Sequence, residues 1–184
     1  MARTKSLLGS VIVLVMVLST AIPVMANNTM AVTRTDKELA EAVRKSIVIH
    51  SNYGVFDWIE GQVRNGVVTL SGSVREPVRK DELEKAVMNV EGVSKIDNQI
   101  DVLPLSTYDD QLRLRAVRAI YGSSTFDRYA LGTNPPIHII VDNGRVVLKG
   151  IVANTLERQV AESLVRNSLL AFDVRNELRV ENAD

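Results

Sequence analysis

Eight residues occur twice in this chain. "NGVVTLSG" runs from Asn65 to Gly72, and "NGRVVLKG" runs from Asn143 to Gly150. The shift of 78 positions (65 to 143) then holds without a gap over a whole unit. Val68 meets Val146, Leu70 meets Leu148 and Val74 meets Val152; further on, Glu84 meets Glu162, Val87 meets Val165, Asn98 meets Asn176 and Val102 meets Val180. A chance match decays within a few residues. One that keeps register through two elements and their connection marks an internal duplication, so the fold must be a small unit made twice.

Each copy begins with an amphipathic stretch. "TDKELAEAVRKSI" puts Leu39, Ala42, Val43, Ser46 and Ile47 on one helical stripe, with Thr35 or Asp36 as the cap. "YDDQLRLRAVRAI" does the same with Leu112, Ala116, Ala119 and Ile120. A hairpin follows. Asn-Gly between alternating strands is a strong turn signal because both residues accept positive φ, which assigns Gly66 and Gly144 to the tips. A two-residue loop pairs Val63 with Val68, Gly61 with Leu70 and Ile59 with Gly72, and all six share a face. The second copy pairs Val141 with Val146, Ile139 with Leu148 and Ile137 with Gly150.

A second helix is expected near Glu76–Val90 and again near Asn154–Leu169, with Leu83, Ala86, Val87 and Val90 turned inward. A third strand carries Ile96, Asn98, Ile100 and Val102, matched by Val174, Asn176, Leu178 and Val180. The helical crossover makes that strand parallel to the second. The expected fold is α+β: two tandem α-β-β-α-β domains, each a three-stranded mixed sheet covered on one face by two helices. Gly72 and Gly150 are assigned to the close approach of a helix to the sheet. Asn98 and Asn176 share a face with aliphatic residues and are read as core amides that hold a backbone loop, since an unbonded buried amide is costly.

The start of the chain reads as an export signal. Arg3 and Lys5 precede an apolar run of twelve residues, Leu7 to Leu18, and "VMA" ends at Ala26. Cleavage after Ala26 is expected, the alternative being a retained anchor, since a spanning helix needs about 20 apolar residues. The expected division is a signal peptide over 1–26, a disordered segment over 27–35, domains over 36–102 and 109–181, and a linker over 103–108. The chain has no cysteine, which excludes disulfides, thiolate chemistry and a lipid-bearing N-terminal cysteine. Basic and acidic residues number 22 each. That balance argues against a nucleic-acid partner.

"VRNGVVTLSGSV" with "VEGVSKIDNQIDV", and "VDNGRVVLKGIV" with "FDVRNELRV", resemble the BON family of bacterial envelope proteins. The shared pattern is V-x-L-x-G-x-V followed by V-x-N-x-[IL]-x-V, with Ile96 in place of the first valine in copy one. Where copy one has "VEGV" after its second helix, copy two has "SLLA". The resemblance is to periplasmic osmotic-stress and outer-membrane-maintenance proteins, and it implies association with phospholipid or the envelope. A soluble chaperone-like stress protein and an adaptor that binds other envelope proteins are the alternatives.

No motif argues for catalysis, a metal or an organic cofactor. His50 and His138 fall at non-equivalent positions, and a zinc site gathers several ligands at local spacing. His138 alternates with Ile137 and Ile139, so it is expected as a surface histidine on the outer sheet face. "GQVRNG" has the glycine spacing of a phosphate loop, but Val67 stands where lysine is required. The outer face of copy one is polar. That of copy two mixes Ile140, Val147 and Ile151 with Arg145, Lys149, Arg175 and Arg179. These two faces either pack together or leave the second domain to meet anionic lipid. The candidate lipid contact is Arg113, Arg115 and Arg118 on the first helix of copy two, with Phe126, Arg128, Tyr129 and Leu131 in the long loop after it. There, rings are expected to bury while charges stay wet.

Overall fold

The computed structural model describes residues 34–50, 53–130, 132, 134–168 and 171–181. The export signal, most of the 27–35 segment and Leu131 lie outside the described residues. Helix α1 spans Asp36–Val48, strand β1 Trp58–Arg64, β2 Val67–Val74, α2 Pro77–Met88 and β3 Lys95–Val102. The second copy follows as α3 Thr107–Tyr121, a 3-10 turn Ser124–Phe126, α4 Asp127–Ala130, β4 Ile137–Asp142, β5 Arg145–Val152, α5 Thr155–Ser168 and β6 Asp173–Val180. The sheet orders are β1-β2-β3 and β4-β5-β6, with an antiparallel hairpin and a parallel third strand in each. The α+β repeat read from the sequence is therefore the fold.

The register is the expected one. Val63 faces Val68, Gly61 faces Leu70 and Ile59 faces Gly72; Val141, Ile139 and Ile137 face Val146, Leu148 and Gly150. Asn65, Gly66, Asn143 and Gly144 all have positive φ, as a type I′ turn requires. An aspartate in the first turns of the leading helix holds each tip. Asp36 accepts from the Asn65 N–H, and Asp109 accepts from the N–H groups of Asn143 and Gly144. Thr35 caps α1 with a full capping box to Glu38, and Ser106 caps α3. Helix α3 thus takes in Thr107 and Tyr108, which had been expected in the linker.

Two structural glycines work differently from expectation. Gly72 and Gly150 have φ of +117° and +121°, and a Cβ on either would stand 2.0 or 1.9 Å from the carbonyl oxygen of Trp58 or Pro136. The close neighbour is backbone leading into or within the paired strand, not a helix. The glycines let the second strand of each hairpin bend across the start of the first.

The two asparagines also differ from the expected role. Each is half-buried and anchors a helix rather than a loop. Asn98 donates to the Lys80 carbonyl and Glu84 carboxylate of α2, and its oxygen accepts from the Ile100 N–H. Asn176 repeats every bond with Arg158, Glu162 and Leu178. A side chain on the third strand thereby locks the crossover helix at the same point in both copies.

Each domain has its own core. The first gathers Leu39, Val43, Ile47, Val68, Leu70, Leu83, Val87 and Ile100; the second gathers Leu112, Ala116, Ile120, Phe126, Ile139, Leu148, Val165 and Leu178. Val55 and Phe56, from the loop before β1, pack against the second core instead of the first. The domains are therefore joined through this loop as well as through the linker.

Candidate functional site

The segment between first helix and first strand carries one ion pair in each domain, with reversed polarity. In copy one the loop supplies the acid. Asp57 is fully buried, pairs with Arg79 of α2, and accepts from the N–H groups of Gly54 and Arg75. In copy two the loop supplies the base: Arg128 pairs with Glu157 of α5, whose other oxygen accepts from the Tyr129 hydroxyl and the Ala153 N–H. Arg79 and Glu157 are equivalent positions in the repeat, as are Arg75 and Ala153. The same strand-to-helix junction is satisfied in both, by opposite charges.

This arrangement corrects much of the expected lipid contact. Phe126 is fully buried in the second core. Tyr129 stacks on it, and the Tyr129 hydroxyl is engaged by Glu157 and Ala153. Burial, then the hydrogen bond to Glu157, raises the Tyr129 pKa. Arg128 lies over the Tyr129 ring while binding Glu157. Arg113 is buried as well, donating to Asp110 and to the Val141 carbonyl at 2.6 Å. Asp110 is held below the usual carboxylate range chiefly by the bond from Arg113. Phe126 and Tyr129 close the domain because α4 and the 3-10 turn fold the loop back over it; Arg113 is drawn in by the Val141 carbonyl, and Arg128, whose side chain is 55% exposed, is held at the surface by Glu157. Leu131 lies outside the described residues.

Arg115 and Arg118 remain exposed, beside Leu114 on the outer face of α3. Neither arginine has a carboxylate within ion-pair distance among the described residues, whereas Arg44, Arg166 and Arg175 each do. Two aromatic residues stand at the start of the same helix. Tyr108 and Phe172 have ring centroids 6.1 Å apart, and Phe172 is 79% exposed. Phe172 occupies the position of Ser94 in copy one. The replacement of "VEGV" by a more apolar turn was the signal for it in the sequence.

His138 is not a surface residue. It lies on the outer sheet face, as expected, but is only 5% exposed, because the first domain's loop covers it. Its ring sits between Tyr53 and Trp58, with centroids 5.3 and 5.2 Å away, and Nδ1 is 3.2 Å from the Gly54 carbonyl oxygen. Burial lowers its pKa, against the opposing influence of the Gly54 and Asp57 backbone. Around it, the Ile139 N–H donates to the Val55 carbonyl, Lys149 lies over the Trp58 ring and near Glu60, and Arg75 pairs with Asp110. The outer face of the second sheet is thus partly a domain seam. Its unusual aliphatic content was the legible sign.

Beside the seam lies a cleft of about 1020 Å³. Helix α1 forms one wall through Arg44, Ile47 and Val48; β1 forms the floor; Pro136, Ile151 and Arg179 form the opposite wall. Among the described residues, no group of His, Cys, Asp or Glu side chains is arranged to hold a metal, and no helix is long and apolar enough to cross a membrane.

A small α+β module, made twice in one chain and joined through a packed seam, is the class that this architecture defines. The family model for the BON domain matches residues 35–104 and 126–182, and the chain belongs to the BON-domain family. No curated protein matches it. Among solved structures, it is similar to CdsD, a structural protein of the type III secretion system of Chlamydia trachomatis. That match has 15% identity and a TM-score of 0.28, covering 78% of this chain and 93% of the other. A structure of the CdsD C-terminal domain is similar at 14% identity and a TM-score of 0.29, covering 80% and 100%.

Proposed function

We propose that this tandem BON protein is a non-catalytic envelope component, exported to the periplasm, whose second domain docks on an anionic phospholipid surface through the outer face of α3. The observation that carries the reading is the pair of arginines, Arg115 and Arg118, exposed without carboxylate partners among the described residues and beside the exposed Leu114. Cations gain from an anionic leaflet while a neighbouring aliphatic side chain enters the headgroup boundary. Tyr108 and the exposed Phe172 extend the same surface with rings suited to that boundary. On the first domain's α1, Arg44 is matched by Glu41, and Lys37 and Arg44 line the cleft.

Cosedimentation with vesicles of phosphatidylglycerol and phosphatidylcholine tests this. The parent is expected to bind the anionic vesicles at low salt and to release them at high salt. Changing Arg115 and Arg118 to Ser together is expected to weaken binding by on the order of tenfold. Unchanged binding by a folded double variant refutes the assignment. Mass spectrometry of the native N-terminus tests the export step, for which cleavage after Ala26 is the expected result.

A further inference from the structure

The two copies treat the free edge of their first strand differently. In a hairpin closed by a two-residue turn, ladder-bonded and outward-facing residues alternate. On β4 the outward residues are Ile137, Ile139 and Val141, and each has at least one outward backbone group bonded. The Tyr121 hydroxyl exchanges bonds with the Ile137 N–H and carbonyl, Val55 receives the Ile139 N–H, and Arg113 donates to the Val141 carbonyl. On β1 the equivalent residues are Ile59, Gly61 and Val63. Tyr53 lies within reach of the Ile59 backbone. No hydrogen bond from the described residues reaches the outward groups of Gly61 or Val63. Two donors and two acceptors are thus left at strand spacing.

This open edge faces a built groove. Gly61 is exposed where its counterpart Ile139 is fully buried; without a side chain it lets Val43 of α1 come within 3.4 Å of where a Cβ would stand, and it lines the groove beside that helix. The walls alternate apolar and cationic groups. Ile47 and Val48 come from α1; Ile151, 47% exposed, and Pro136 come from the second domain. The groove's acids are engaged, Glu41 by Arg44 and Glu60 by the Trp58 Nε1–H. Lys37 and Arg179 line the same groove without a carboxylate partner among the described residues. The balance left over is positive.

We propose that β1 accepts an extended polypeptide segment by strand addition, the segment being apolar at alternate positions and carrying a carboxylate. Unpaired backbone groups at strand spacing select a peptide over a lipid or a sugar, because only a polypeptide presents matching N–H and C=O groups. Alternate side chains of the added strand then point toward Ile47 and Val48 or toward Ile151. Lys37 and Arg179 receive the carboxylate. The site is distinct from the α3 surface, so the two bind independently.

The test selects peptides from a displayed pool of random sequences of about ten residues on the unaltered chain. The selected peptides are then synthesised and followed by amide NMR. Alternating apolar peptides with an acidic residue are expected. They should shift the Gly61 and Val63 N–H signals and slow their exchange. Methylating alternate backbone nitrogens of a bound peptide should weaken binding tenfold or more in one phase of the alternation and little in the other. Gly61→Pro removes an outward N–H without breaking the ladder, and is expected to abolish binding. The methylated peptides read the same point on unaltered protein should that variant misfold. Failure to enrich any peptide, or peptides whose binding leaves Gly61 and Val63 unmoved, overturns the proposal. So does perturbation of those amides by protein concentration alone, which assigns the edge to a second copy. Perturbation confined to Ile151 and Trp58 by lipid or detergent assigns the cleft to an acyl chain.

Discussion

Removing the guanidinium of Arg79 should damage the first domain far more than removing that of Arg128 damages the second. Asp57 is fully buried, and among the described residues Arg79 is the only cation that pairs with it. Two backbone N–H groups remain to the carboxylate after Arg79→Ala, from Gly54 and Arg75. They do not neutralise its charge. Stranding a buried carboxylate in this way costs about 3–5 kcal/mol. For a domain of this size that lowers the melting temperature by roughly 20 °C. Arg128, by contrast, has a half-exposed side chain, and Glu157 keeps the Tyr129 hydroxyl, the Ala153 N–H and the Asn154 amide when it is gone. Its loss should cost much less. Replacing both partners, Asp57→Asn with Arg79→Met, should recover at least about 1.5 kcal/mol relative to the sum of the single changes, since no unpaired charge remains. Denaturant unfolding of the four variants gives these numbers directly. The loop that Asp57 fixes also carries Val55, so Arg79→Ala should speed hydrogen exchange at the Ile139 N–H. An Arg79→Ala cost no larger than that of Arg128→Ala, or a strictly additive double variant, refutes the argument.

Gly72→Ala and Gly150→Ala should each destabilise by several kcal/mol or prevent folding, because the new methyl meets a backbone carbonyl at a positive φ; thermal unfolding measures it. Asp109→Ala should cost more than Asp36→Ala, since Asp109 is buried and receives two turn N–H groups where Asp36 receives one. Stability should also fall on mild acidification. His138 has a folded pKa below its unfolded value of about 6.5, so the folded state binds fewer protons. Its contribution is present above about pH 6.5 and is lost as the pH falls through the folded pKa, at no more than about 1.4 kcal/mol per pH unit. Unfolding midpoints between pH 5 and 8, compared with those of His138→Gln, isolate this contribution.

The register was legible because the hydrophobic period of two and the Asn-Gly tips over-determine it. Shifting either hairpin by one residue would turn Val68 and Leu70 out to solvent. The duplication added a second, independent reading of every element. The buried arginine was not legible. On a helical wheel Arg113 belongs with the solvated cations, and only the position of the Val141 carbonyl, set by a strand far along the chain, draws it inward. The same holds for His138. Strand alternation placed it correctly on the outer face, but not under Tyr53 and Trp58, since covering that face depends on how the two domains meet. Phe126 reads as a membrane contact from sequence because the length of the copy-two loop hides the 3-10 turn that folds it back.

Two copies of a three-stranded unit bring two first-strand edges that need protection from unwanted pairing. The short linker does not close either. The second domain covers much of its own edge with Tyr121 and Arg113, and takes a further bond from Val55 of the first domain. That borrowing explains why the first domain's loop must be held rigid by the buried Asp57–Arg79 pair: its backbone is a structural part of its neighbour's sheet. It also explains why β1 stays open. The loop that would fold back over Gly61, as the longer loop of copy two folds over its own domain, is spent on the seam. The buried histidine, the reversed ion pairs and the exposed strand edge are thus consequences of one asymmetry, the direction in which the first loop points.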